Sequence, residues 1–162
     1  SKSYAMTGWR IGYAAGNADI IKAMSNIQSH STSNPNSIAQ YASVVGLNAS
    51  KDGLYEKVKE FDKRRKHTYE RINNIPGLSC KMPEGAFYVM MNISKLLGKK
   101  FGKQVIADSL SFSNILLEAE QVAVVPGIVF GADNFVRLSY ATSIDNINKG
   151  LDRIENFIDQ LY

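Results

Sequence analysis

Apolar residues along this chain recur with two periods. Ile20, Ile21, Met24 and Ile27 follow helical spacing over residues 18–28, with Asn17 placed to cap them. A second helix is predicted over residues 36–48. A third spans 51–73, with Leu54, Val58, Phe61, Arg65, Tyr69 and Ile72 on or near one face and charge on the other. Pro76-Gly77 closes it. Residues 101–119 read as a further helix. Ser143 opens the last one, whose buried side carries Ile147, Leu151, Ile154, Phe157, Ile158 and Leu161.

Between the helices lie short runs that read as strands. Residues 11–15 (Ile-Gly-Tyr-Ala-Ala) are small and apolar and predict a buried, parallel strand. Residues 78–81 and 86–93 predict two strands separated by Pro83-Glu84-Gly85. Residues 122–125 stop at Pro126-Gly127, and 135–140 alternate as a strand does. Residues 29–33 are polar and end in Asn34-Pro35, a loop signal. This order predicts an α/β or α+β chain. A change of composition near residues 48–53 marks a domain boundary, which gives one domain over 1–48 and a second over 49–162, entered by the long helix.

Composition narrows the class. The chain has 162 residues, 44% hydrophobic and 21% charged, which is an ordinary globular profile. No apolar stretch is long enough to span a bilayer, and a membrane role is not expected. A single cysteine, Cys80, excludes an internal disulfide and points to a reduced, cytoplasmic setting. The net charge of +4 is mild. Its densest cluster, Lys63-Arg64-Arg65-Lys66-His67, falls inside the long helix, where a solvated face explains it better than nucleic acid does. Two separated histidines and one cysteine give no metal-ligand spacing, and no metal is expected. The chain opens without Met and reads as cut from something longer.

The chemistry concentrates at the start, in Lys2-Ser3-Tyr4-Ala5-Met6-Thr7-Gly8-Trp9-Arg10-Ile11-Gly12. A lysine supplies the primary amine that an imine with an aldehyde requires. An arginine gives fixed donors and a permanent charge suited to a phosphate. Gly8, between them, permits a tight reversal that turns both side chains toward one pocket. Taken singly, a terminal lysine and an arginine before a strand are ordinary surface residues. The whole string resembles the cofactor-lysine signature of class I and II aminotransferases, in which Ala5, Met6, Gly8, Arg10 and Gly12 fill the constrained positions after the lysine. Asn134-Phe135-Val136-Arg137-Leu138-Ser139-Tyr140-Ala141 resembles the family's C-terminal strand. Gly85-Ala86-Phe87-Tyr88 and Val122-Ala123-Val124-Val125-Pro126-Gly127 resemble its neighbouring strand and loop.

The resemblance covers essentially the whole chain. It implies the C-terminal part of a fold type I transferase dependent on pyridoxal 5'-phosphate: the tail of the large domain plus the α+β small domain. It implies that Lys2 forms the Schiff base and is catalytic, that Arg10 binds the cofactor phosphate, and that Arg137 grips the substrate α-carboxylate. Amino acids and 2-oxo acids are the implied substrates, and a homodimer the implied assembly. The string is most similar to the bacterial aspartate aminotransferase branch. One departure is visible. Where another branch carries an arginine for the distal carboxylate, this chain has Ser29, so aspartate is favoured without being read directly. His30 lies in what the resemblance makes an interface loop. A lyase or synthase of the same cofactor fold, and a fragment that binds nothing by itself, remain as alternatives. A regulator borrowing such a domain would need a DNA-binding segment that these residues do not contain.

Overall fold

A computed structural model describes residues 1–162 and divides into two compact units, Ser1–Lys57 and Val58–Tyr162.

The first unit contains α1 (Ala18–Ser31) and α2 (Ser37–Asn48). Each helix begins where an asparagine satisfies its free amides. Asn17 Oδ1 accepts from Asp19 N at 2.9 Å, and Asn36 Oδ1 accepts from Ile38 N at 2.8 Å and Ala39 N at 3.2 Å. The polar residues 29–31, expected in a loop, prolong α1, with the Ser29 and Ser31 hydroxyls turned back to donate to the carbonyls of Asn26 and Ile27. Residues 11–15 are not a strand. No segment of the chain lies beside them in a ladder, and a strand exists only through its pairing. The only buried apolar residue in this unit is Ala39.

The long helix α3 (Asp52–Asn74) starts in the first unit and runs into the second. Its basic cluster is largely paired on its own surface. Arg64 meets Glu60 at 2.8 Å, while Arg65 and Lys66 share Asp62 at 2.6 and 2.8 Å. Those hydrogen bonds to Lys66 and Arg65 hold the Asp62 carboxyl below its ordinary range. The helix ends at Asn74, and the chain turns away at Pro76-Gly77, where the Gly77 φ of +87° is a left-handed conformation that favours glycine.

The second unit is built on a four-stranded antiparallel sheet: β1 (Ser79–Cys80), β2 (Tyr88–Asn92), β5 (Val125–Pro126) and β6 (Phe135–Ser139), in the order β1-β2-β6-β5. β6 is therefore interior. Met90 and Val125 both pair with Arg137. Alternation sends Val89, Met91 and Val136 to the core and Tyr88, Met90, Phe135 and Arg137 to the other face. Only Val125–Pro126 of the run 122–126 is paired.

Residues 101–119 divide. Lys100–Phe101 (β3) and Gln104–Val105 (β4) form a small hairpin, and the helix α4 spans only Ser109–Glu120. Gly102, at φ +57°, makes the hairpin turn. Asp108 then starts the helix with a capping box, its carboxylate accepting from Ser111 N at 2.7 Å. The last helix, α5 (Ile144–Asp159), begins at Ser143 as expected. Its residues Leu151, Ile154 and Phe157 are fully buried with Phe112 and Leu116 of α4. Phe112 and Phe157 meet edge-to-face at 5.7 Å.

Candidate functional site

The segment bearing Lys2 and Arg10 is a closed loop. Met6 N donates to Ser1 O at 2.8 Å and Ala5 N to Lys2 O at 3.1 Å. Ser1 Oγ donates to Ile11 O at 3.2 Å. That last bond joins the two ends of the segment, so Lys2 and Arg10 are rooted on either side of it. Two non-glycine residues take left-handed backbone here, Ala5 at φ +54° and Arg10 at φ +52°. Each costs on the order of 1 kcal/mol, and such strain gathers at functional sites. Gly8 is not the reversal it was expected to be. It lies in a short 3-10 turn, Thr7–Trp9, without a positive φ, and the chain turns at Ala5 and Arg10 instead.

Lys2 and Arg10 are both exposed. Arg10 donates through Nη1 to Thr7 O at 3.0 Å. Tyr4 folds inward, its ring lying 3.4 Å from where a side chain on Gly46 of α2 would begin. Beside it is a groove of 600 Å³ between the loop and α2, lined by Ser1, Tyr4, Met6, Tyr13, Ser43 and Val44 among others. Neither Lys2 nor Arg10 lines it. As a donor set, one free primary amine and one guanidinium on a single closed loop fit a phosphorylated aldehyde.

Arg137 belongs to the other unit. It is half-buried, and its guanidinium carbon lies 4.3 Å from the Tyr88 ring centre and 4.7 Å from that of Phe130. No carboxylate is paired with it, whereas Arg64 and Arg65 each hold one and Arg71 holds two. It is a cation held by aromatic faces with its N–H donors uncommitted. The backbone leading into Tyr88 is held by Tyr140, whose N donates to Phe87 O at 2.9 Å and whose hydroxyl donates to Ala86 O at 3.1 Å. Burial pushes the Tyr140 phenol up. Tyr88 and Phe130 were missed as partners of Arg137: Tyr88 lies far from it in sequence, and Phe130, though only seven residues upstream, is there without any spacing that announces a cation–π contact.

His30 sits exposed in the last turn of α1, not in a loop. Ser29, also exposed on α1, carries no charge for a second carboxylate. His67 is half-buried and shares a 2.5 Å hydrogen bond with Asn148 of α5. No group of three or more His, Cys, Asp or Glu residues is placed to hold a metal ion. No helix is long and apolar enough to cross a membrane.

This arrangement, a lysine–arginine loop ahead of a capped α+β unit with an arginine on its interior strand, has the architecture of the C-terminal part of fold type I structures. Residues 1–154 match the pattern of class I and II aminotransferases, and the chain belongs to that family. It is 49% identical to the aspartate aminotransferase of Bacillus subtilis (strain 168), over 99% of this chain and 40% of that protein. It is 43% identical to the aspartate/prephenate aminotransferase of Nitrosomonas europaea, over 98% of this chain and 40% of that one. The crystal structure of the aspartate aminotransferase from Rhizobium meliloti superposes with a TM-score of 0.95 at 47% identity, covering 99% of this chain and 40% of that chain. The chain thus spans about 40% of the length of the relatives it matches.

Proposed function

We propose that this chain is the C-terminal portion of an aminotransferase that moves the amino group of an amino acid, aspartate for preference, to a 2-oxo acid, using pyridoxal 5'-phosphate. The observation that carries this reading is the loop in which Ser1 and Ile11 are bonded, with an amine and a guanidinium rooted beside that bond. Names of the relatives support aspartate as donor. The expected division at 49 makes residues 1–48 the tail of the cofactor-binding domain and 49–162 the small domain. The working assembly is a cytoplasmic homodimer.

When bound, the cofactor supplies an aldehyde for the amino group and a ring that draws electrons from the substrate Cα. Lys2 would supply the primary amine that holds the cofactor's aldehyde, and as a free amine its Nζ would take the proton from the substrate Cα. Arg10 would give the phosphate a fixed fork of N–H donors and a positive charge. Arg137 receives the α-carboxylate through paired N–H donors, which fixes the Cα–H bond for removal. The 162 residues by themselves bind the cofactor weakly and do not turn over, because they carry only part of such a pocket.

Product analysis on the full-length protein tests the reaction. Oxo acid formation from aspartate that requires an added 2-oxo acid is the expected result. Pyruvate and ammonia released from a cysteine-like substrate without any acceptor would replace this reading with that of a lyase. For the isolated chain, added pyridoxal phosphate is expected to give little Schiff-base absorption. A strong band that disappears in Lys2→Ala contradicts the weak-binding expectation.

A further inference from the structure

Arg137 is flanked from both sides of β6. Tyr88 comes from β2, and Phe130 from the 3-10 turn Gly127–Phe130 that follows β5. That turn is unusually constrained. A side chain on Gly127 would begin 2.1 Å from Ala132 O and 2.2 Å from Phe135 O, so only glycine fits. Gly131 closes the turn at φ +73°. From the far side, the fully buried Ser109 at the start of α4 ties it down. Ser109 Oγ accepts from Ile128 N at 3.1 Å and donates to Asp133 Oδ1 at 2.6 Å, and Ser109 N donates to the same oxygen at 3.1 Å. The exposed apolar tip this produces, Ile128-Val129-Phe130, has one member engaged with a charge.

We infer that Phe130 is a positioning residue for substrate binding: the turn latched by Ser109 and Asp133 holds its ring against Arg137 and sets the guanidinium for a carboxylate. This rests on the reading of Arg137 as the carboxylate anchor. The physical reason is directional. Aromatic faces attract the cation but accept none of its in-plane N–H bonds, so they fix its position and leave the edges free. A carboxylate side chain in the same place would hold the arginine as firmly and consume the donors that the substrate needs. The turn therefore restrains without competing.

Steady-state kinetics on the full-length holoenzyme test this. Phe130→Leu is expected to raise KM for the amino acid about tenfold with kcat within about twofold, the signature of lost binding shared by ground and transition states. Phe130→Tyr, which keeps the ring, restores KM. In an Arg137→Ala background Phe130→Leu has no further effect, because the partner of the ring is gone. An unchanged KM in Phe130→Leu, alongside a raised KM in Arg137→Ala, overturns the inference and leaves the anchor reading intact. An unchanged KM in Arg137→Ala removes the anchor reading and the inference with it. A Phe130→Leu effect that persists undiminished in the Arg137→Ala background reduces Phe130 to a structural residue and also overturns the inference.

Discussion

The two units use similar sequences to opposite ends. Both contain amphipathic helices with asparagine, aspartate or serine caps. In Val58–Tyr162 the apolar faces close on one another, and Met91, Leu116, Leu151 and Phe157 are completely buried. In Ser1–Lys57 they do not: Ile27, Ile38 and Val45 are each more than two-thirds exposed. Hydrophobic periodicity therefore tells where a helix turns a face inward without telling what lies against that face. The lysine loop stands in the unit without a core, and Arg137 in the unit that has one. The first depends for its order on local hydrogen bonds, the second on packing.

The largest expected effect probes that contrast directly. Phe157→Ala should cost about 4 kcal/mol in urea unfolding, since it empties a site between Phe101 and Phe112. Ile27→Ser, an equally apolar loss in the first unit, should change stability by no more than about 0.5 kcal/mol. Equal costs would break the comparison. Next comes Gly127→Ala, expected to cost about 3 kcal/mol, because the new carbon meets two backbone oxygens that have little room to retreat. A smaller effect runs the other way. Thr68 is buried on α3 and its hydroxyl has no partner, so Thr68→Val should raise stability by about 1 kcal/mol in the same measurement.

The finest test is one of pH. The bond from Ser111 N, followed by that from its hydroxyl, holds the Asp108 carboxyl below its usual range. A lowered folded-state value means that its charge stabilises the fold above the ordinary carboxylate range. That contribution is lost as pH falls through the lowered value. Asp108→Asn keeps a cap but removes the charge. Wild type should exceed it in thermal stability near neutrality, and the gap should close in acid. A gap that widens in acid would reverse the sign.

How much was legible in the sequence depends on how local the cause is. Asn17 and Ser143 start helices through bonds reaching two or three residues, and they were read correctly, whereas Asn36, expected as the first residue of its helix, is the cap before it. Residues 11–15 misled because small apolar composition describes a buried strand only where a partner strand is adjacent. Residues 101–107 misled because helical spacing outweighed Gly102 and the Asp108–Ser111 box, both of which were visible. For the site, the string from Lys2 to Arg10 was legible as a string, though the reversal falls at Ala5 and Arg10 and not at Gly8. The contact of Tyr88 with Arg137 and the latch from Ser109 to Asp133 join segments far apart in sequence, and the contact of Phe130 depends on how the chain turns back between it and Arg137. Only the fold brings those together.

The proposal stands most directly on Lys2. The full-length enzyme loaded with pyridoxal 5'-phosphate can be reduced with borohydride, digested and sequenced by mass spectrometry, so that the lysine bonded to the cofactor is read without reference to turnover. The account predicts the phosphopyridoxyl group on Lys2, and its loss in Lys2→Ala. A label on any other lysine with Lys2 unmodified, or a label undiminished in Lys2→Ala, would contradict it.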